Sequence, residues 1–315
     1  MSKINSLISS VRLKLFKYSI RINAYFSKSI NNNRDNALID NVLSCDVIVF
    51  SKDRALQLHA LLSTYFEMVQ HPIRLNVLYT CSTPDHQSSY NELINIFRTK
   101  NVCFIKEEVF RRDFIALMRR LSSTKVMFMT DDAVIVDSFD MNSVLKVNPF
   151  AGVVQLHRGY DSKYNMHSGK DEKQPSFIFS TELDKDMMFW TFNNELFSIT
   201  YNYPLSLDGT LFDRMEMLKL FKRIEFKAPN SLEAMMQIYS PIMLNRNGIC
   251  FTKSKYVNIP CNLVNTEVHN ISTGYFTVED LLEKWNAGFR IKYEVFYHKD
   301  YAEVLQAKFD FVLRN

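Results

Sequence analysis

The sequence predicts an α/β fold, a sheet flanked by helices with a basic amphipathic helix in front of it. Three observations predict this. From Asp46 to Thr130, short apolar, β-branched runs alternate with stretches of helical periodicity, the pattern of a largely parallel sheet covered on both faces. The fourth run, "KVMFMT", ends in two adjacent acids, Asp131 and Asp132. Residues 1–34 contain no acid, whereas Lys3, Arg12, Lys14, Lys17, Arg21, Lys28 and Arg34 are basic.

The elements follow in order. Ile4, Leu7, Ile8, Val11, Leu15, Tyr18, Ile22, Tyr25 and Phe26 recur at helical spacing, with Lys14, Lys17, Arg21 and Lys28 on the other face and no Pro or Gly between. Such a helix suits an anionic membrane surface, or packs on its own domain or a partner. Residues 27–36 read as a polar linker. "DVIVF" is the first strand. In "RALQLHALLSTYFEMV", Leu58, Leu61, Leu62, Tyr65 and Val69 share a helical face. "IRLNVLYT" is a strand. "DHQSSYNELINIF" is a helix with Tyr90, Leu93, Ile94 and Phe97 on one side. "NVCFIKE", "FRRDFIALMRRLSS" and "KVMFMT" continue as strand, helix and strand. Further on, "AGVVQLHRGY" and "PSFIFSTEL" read as strands, and "DKDMMFWTF" is aromatic and mixed. "DRMEMLKLFKRI" and "NSLEAMMQIYS" read as helices. "TVEDLLEKWNAG" is a helix that Thr277 can cap, Glu279 and Asp280 favour in the first turn, and Gly288 can end.

Composition narrows the function. The chain has 315 residues, 47% of them hydrophobic, and a net charge of +4. That is ample for a core, and too mild a charge to suggest nucleic acid. Its 5 cysteines include no C-x-x-C pair, which argues against a zinc ribbon or disulfide scaffold and favours a reducing cytoplasm. Only 7 glycines occur, and neither G-x-G-x-x-G nor a P-loop is present. No signal peptide is apparent, and no apolar run reaches the ~18 residues that span a bilayer.

The acid pair poses the chemical question. Two unpaired carboxylates at a buried strand end cost several kcal/mol, so a divalent cation or a surface turn is expected there. Ligands of parallel sheets gather at the C-terminal strand ends, where residues 51–54, 80–85 and 131–132 can converge. A nucleotide diphosphate suits this place, since Mg²⁺ or Mn²⁺ can bridge its phosphates to carboxylates. A phospho-acceptor domain fits badly, because its acids belong to the first strand.

"VIVFSKDRALQLHALLSTYF", "LYTCS" and "VMFMTDDAVIV", taken in that order, resemble the donor half of a GT-A glycosyltransferase of the bacterial family-2-like group that builds surface polysaccharides. "YPLSLDGTLF", "APNSLEAMM" and "VNIPCNLVN" resemble an acceptor half, so the likeness covers residues 46–290. It departs at Ala133, the third motif position, and at Ala55, where a Pro is usual. The resemblance implies a Rossmann-like mixed sheet, with a helix and linker at 1–40, a nucleotide-sugar half at 41–140 and an acceptor half at 141–315. It implies Asp131 facing the ribose, Asp132 facing Mn²⁺ or Mg²⁺, and His269 as a further metal ligand, though His269 can equally be a solvated loop histidine. Ser51, Asp53 and Arg54 would line the base and ribose pocket, though Ser51 or Asp53 can equally cap a helix. Thr80 and Ser82 would touch the base, or form a polar turn before Pro84. Arg111 and Arg112 would face the diphosphate, or be a solvated helix end.

Inverting transfer needs a general base. Asp208, between Pro204 and Gly209, is the candidate; the alternative is the first residue of an Asp-Gly turn. Asp213 and Glu233 stand behind it, and Glu233 also suits a structural place on a helix. His157, Trp190 and Tyr203 can face a sugar or simply pack. The expectation is a cytoplasmic enzyme on the inner membrane face. Its partners would be a nucleotide sugar and a glycan or lipid-linked acceptor of LPS or capsule synthesis. A non-catalytic carbohydrate-binding protein on the same fold is the alternative.

Overall fold

Strand β1 (Cys45–Lys52) sets the plan of the sheet. Successive strand side chains point to opposite faces, so Val47 and Val49 join one core cluster and Ile48 and Phe50 the other. A strand apolar on both sides needs cover on both. The computed structural model, which describes residues 13–20, 37–165, 169–192, 200–262, 276–302 and 309–314, shows that cover. α1 (Ala55–Met68), β2 (Leu75–Thr80), α2 (Pro84–Ile96), β3 (Val102–Lys106), α3 (Phe110–Arg120) and β4 (Lys125–Thr130) follow β1 in the expected alternation. β5 (Ala133–Ile135), β6 (Gly152–Val154), β7 (Met187–Thr191) and β8 (Thr210–Asp213) come next. They precede α4 (Arg214–Phe221), α5 (Pro229–Met236), β9 (Asn247–Phe251), β10 (Tyr256–Asn258) and α6 (Val278–Asn286).

The main sheet has the order β8-β4-β1-β2-β3. β1 is parallel to β2 and β4, with Val47 opposite Leu75 and Met127. β8 joins the β4 edge antiparallel. The sheet is therefore mixed, and the second half of the chain completes it. One face packs Val49, Val77, Met127 and Met129 with α1 and with Leu281 and Trp285 of α6. The other is ringed by aromatics: Phe114 lies 5.4 Å from Phe50 and 5.1 Å from Phe221, centroid to centroid. Such ring pairs add stability beyond the area they bury. α6 starts in a reciprocal cap, Thr277 Oγ accepting from the Asp280 amide at 3.0 Å and Asp280 accepting from the Thr277 amide at 2.7 Å.

Two stretches differ from expectation. "PSFIFSTEL" forms only an isolated bridge, Ile178 with Phe189; Ile178 and Phe179 lie exposed, without a partner strand. "MMFWT" is the true strand, pairing β9. "AGVVQLHRGY" is a strand for only three residues, because Leu156 and its neighbours turn to bond Gly209, Lys255 and Tyr256.

Residues 13–20 are helical. Ile20 is buried and Phe16 packs on the aromatic core beneath the Arg223 guanidinium. Leu15 and Tyr18, placed by their spacing on the apolar face, are 64% and 66% exposed. The helix thus packs on the domain through Phe16 and leaves Leu15 and Tyr18 open. The rest of the expected amphipathic run lies outside the described residues.

Candidate functional site

The carboxylates that end β4 are held by a cation of the chain itself. Arg54 Nη1 donates to Asp131 Oδ1 at 3.1 Å and to Asp132 Oδ2 at 2.9 Å. Its other nitrogens are fixed by Asn262, with Nε on the side-chain oxygen at 2.9 Å and Nη2 on the carbonyl at 2.6 Å. Asp131 also accepts from Ser51 Oγ at 2.8 Å and from the Lys52 amide at 3.1 Å. Burial pushes the Asp131 carboxyl up against the pull of Arg54, while the two acids hold the Arg54 guanidinium firmly charged. The acid pair is neither a surface turn nor a free metal site. It is a buried ion cluster, the arrangement in which removing one member is costly.

β1 and β2 lie side by side, and this brings their ends together. Asp53 sits at φ 54°, a left-handed conformation that Asp tolerates better than most residues. It accepts from Ser82 through the amide at 2.7 Å and through Oγ at 2.6 Å. The Thr80 carbonyl accepts from the Asp53 amide at 3.3 Å. Ser51, Asp53, Arg54, Thr80, Ser82 and Asp131 are thus gathered as expected. The helix-cap alternative for Ser51 and Asp53 is not realised: Arg54 is the N-cap residue of α1 and no side chain caps it. Arg112 does not join them. It is exposed at the start of α3, paired with Glu108 and Asp113, and Arg111 reaches the Ile224 carbonyl. Arg112 is the solvated helix end, and Arg111 is half-buried over the Phe226 ring.

Asp208 is brought to the acid pair by β8. Thr210 lies opposite Phe128 of β4, and Gly209, at φ 63°, turns the chain into that pairing. Asp208 Oδ1 then accepts from Thr130 Oγ1 at 3.0 Å and from Asn258 Nδ2 at 3.1 Å. β10 supplies Asn258, which stands opposite Ala133 just after the acid pair. Ser206 Oγ reaches Asp208 Oδ2 at 3.3 Å. Burial and the charge of Asp132 raise the Asp208 carboxyl above its ordinary range. Glu233 of α5 is a close neighbour, hydrogen-bonded to Tyr203 and Ser206. Burial, then Asp208, push it up to about 8. Asp213 instead caps α4, accepting from the Glu216 amide at 2.7 Å. Trp190 is core, donating to the Tyr201 carbonyl at 3.1 Å. His157 is buried and donates through Nδ1 to the Asp208 carbonyl at 2.6 Å.

The described residues do not fit a carboxylate-held divalent cation. An ion on Asp132 would face the Arg54 guanidinium, already 2.9 Å from that carboxylate. Among the described residues, no group of three or more His, Cys, Asp or Glu side chains is placed to hold a metal. His269 lies outside the described residues.

Sequence reasoning missed several members of the site. Tyr90 reads as a core residue of α2, yet its hydroxyl meets Ser51 Oγ and accepts from the Arg54 amide at 3.3 Å. Asn258, Asn262 and Thr130 carried no pattern of their own. The fragment "VNIPCNLVN" marked the region of the two asparagines without assigning them a task. Beside Arg54, a small cleft lined by Asp53, His86, Ser89, Leu281 and Trp285 among others has room for about one water molecule, far short of a small-molecule site.

No family model matches the chain. It is 29% identical over 181 residues to the bifunctional glycosyltransferase pgtA of Dictyostelium discoideum, a match over 53% of this chain and 23% of that protein. The chain therefore spans about a quarter of that relative's length. Among solved structures, S. aureus TarS 1-349 in complex with UDP-GlcNAc is similar at a TM-score of 0.44 and 13% identity, over 74% of this chain and 61% of that one. A mannosyltransferase, PcManGT, of Pyrobaculum calidifontis in complex with GDP-Man and Mn²⁺ gives 0.29 and 13%, over 47% and 46%. At these values the geometry of the site has to carry any functional reading.

Proposed function

We propose that the chain is a GT-A-like glycosyltransferase. It moves a sugar from a nucleotide-diphosphate donor to a glycan or lipid-linked acceptor, with inversion at the anomeric carbon, in bacterial surface polysaccharide (LPS or capsule) synthesis. One observation carries this: β8 places the Asp208 carboxylate beside the acid-ended strand β4, fixed by Thr130 and Asn258. The stretch matched to pgtA supports the transferase class. In the reaction, the acceptor hydroxyl oxygen attacks the anomeric carbon and its proton passes to Asp208. The sugar–phosphate bond breaks, and its electron pair leaves with the diphosphate. Raising the Asp208 carboxyl makes it a stronger base toward that proton. Arg54 holds Asp131 and Asp132 in place. Asp132, whose side chain is 19% exposed, is the member of the pair open to a ligand.

The setting we propose is the inner face of a membrane, with anionic lipid as partner. Exposed Leu15 and Tyr18 beside Lys14 and Lys17 support it. Among the described residues, no helix is long and apolar enough to cross a membrane.

The donors on Asp208 would also suit a purely structural carboxylate, which is the non-catalytic carbohydrate-binding reading. A panel of nucleotide sugars screened by thermal shift, followed by donor hydrolysis, separates the two. The reading predicts a raised Tm with at least one nucleotide sugar, in EDTA as well as in Mn²⁺, and turnover of that donor. A shift without turnover favours the binding protein. A shift that needs Mn²⁺ returns a metal to Asp132, and no shift at all contradicts both readings.

A further inference from the structure

Five lysine and arginine side chains are buried among the described residues: Arg54, Lys125, Arg158, Arg246 and Lys255. Four of them have a carboxylate within salt-bridge reach: Arg54 with Asp131 and Asp132, Lys125 with Asp40, Arg246 with Glu216, and Lys255 with Asp137. Arg158 has none among the described residues. It is 7% exposed, and its Nε is sealed from solvent without a hydrogen-bond partner. The contact recorded for its guanidinium is the Tyr201 ring, 6.0 Å away. A buried arginine is rarely left unpaired, because desolvating the charge is costly.

The carboxylates whose charge bears on Arg158 are Glu172 and Asp208, and other groups bond to both. Glu172 Oε1 accepts from Thr200 and from Asn165. Its Oε2 is buried without a partner, so it does not reach the guanidinium. The Asp208 oxygens are taken by Thr130, Asn258 and Ser206. The backbone at this point is fixed, since His157 is tied to the Asp208 carbonyl and Tyr201 donates to the Gly159 carbonyl at 3.0 Å. A cation held near the candidate base, with Asp208 bound by other donors and Glu172 turned toward Thr200 and Asn165, lacks one component. An arginine fork takes an oxyanion in two-pronged fashion, whether phosphate or carboxylate.

We propose that Arg158 binds an oxyanion, a phosphate or a carboxylate, carried by the substrate on which Asp208 acts. This rests on the transferase reading for what Asp208 does. The oxyanion has two possible sources, the donor diphosphate or an acidic group on a sugar.

The test uses the full chain, as wild type, Arg158→Gln and Arg158→Lys. Each is titrated with UDP, glucose 6-phosphate, glucuronate and, as a neutral control, glucose. Each is also melted without ligand. Wild type should bind at least one charged probe tenfold or more tightly than glucose. Arg158→Gln should lose that preference, and Arg158→Lys should keep part of it. Ligand-free Arg158→Gln should melt at or above the wild-type temperature, because the change removes a buried charge that has no partner. Loss confined to UDP assigns the oxyanion to the donor; loss of glucose 6-phosphate or glucuronate assigns it to an acidic sugar. Three results would overturn the proposal: no charged probe preferred by wild type, equal binding by Arg158→Gln, or a clearly lower melting temperature for Arg158→Gln. Absence of nucleotide-sugar turnover by wild type would instead remove the transferase reading and leave oxyanion binding to stand by itself.

Discussion

Arg54 fastens a buried carboxylate, a partly exposed one and an asparagine with one planar group, and its loss would leave both acids without a counter-charge. Arg54→Met should therefore destabilise the fold by about 3–5 kcal/mol, the usual cost of breaking a buried ion cluster from one side. Arg54→Lys should recover only part, since an ammonium cannot reproduce the fork that reaches Asp131, Asp132 and Asn262 together. Urea unfolding measures both; a Met variant as stable as wild type would show the cluster to be slack. Glu233 gives a second prediction at this scale. Its carboxyl moves from 4.5 to about 8 on folding. The folded protein then holds this proton more tightly than the unfolded chain, so stability falls as pH rises from about 4.5 to about 8 and levels off above. Glu233→Gln removes that dependence. Its Tm advantage over wild type should widen across the window and then stay constant, whereas parallel Tm curves would mean that Glu233 is freely solvated.

The elements differ in how far periodicity could find them. β1, α1, β2, α2, β3, α3 and β4 were legible because each carries a strong period and a near neighbour to pack on. α6 was legible from its cap, Thr277 with Asp280. β7 was not, because "MMFWT" is apolar without alternation and its pairing with β9 joins segments far apart in the chain. Periodicity also names a face and not the atom at its end. Tyr90 was placed on the buried side of α2 correctly, but its hydroxyl contact with Ser51 depends on the approach of two elements. The helical residues 13–20 show the same limit, since the domain takes Phe16 and leaves Leu15 and Tyr18 of the expected stripe exposed. The open stripe supports a prediction. The full chain should co-sediment with liposomes containing anionic lipid and be released by salt, because surface attraction is screened over ~8–10 Å at physiological ionic strength. A chain beginning at Asn41 should stay in solution; equal sedimentation would place the contact elsewhere.

At the scale of the molecule, the decisive feature is the antiparallel strand β8 on the β4 edge. It carries Asp208 from the second half of the chain to the end of a strand in the first. The sequence showed an acid between two turn-formers and an acid pair far upstream, but nothing local states that the two meet. That depends on the order β8-β4-β1-β2-β3. Gly209, at positive φ, follows Asp208 directly where the chain enters β8, and Asp208 there accepts from Thr130 and Asn258. Asn shares the turn preferences of Asp, so Asp208→Asn separates geometry from proton transfer. The measurement is its turnover beside its donor-binding isotherm, using the nucleotide sugar found by the thermal-shift panel. A lost general base costs ~10²–10⁴-fold in rate, so kcat should fall by that order while donor affinity and Tm hold. Near-wild-type turnover by Asp208→Asn would contradict the assignment and leave Asp208 as a residue of the turn.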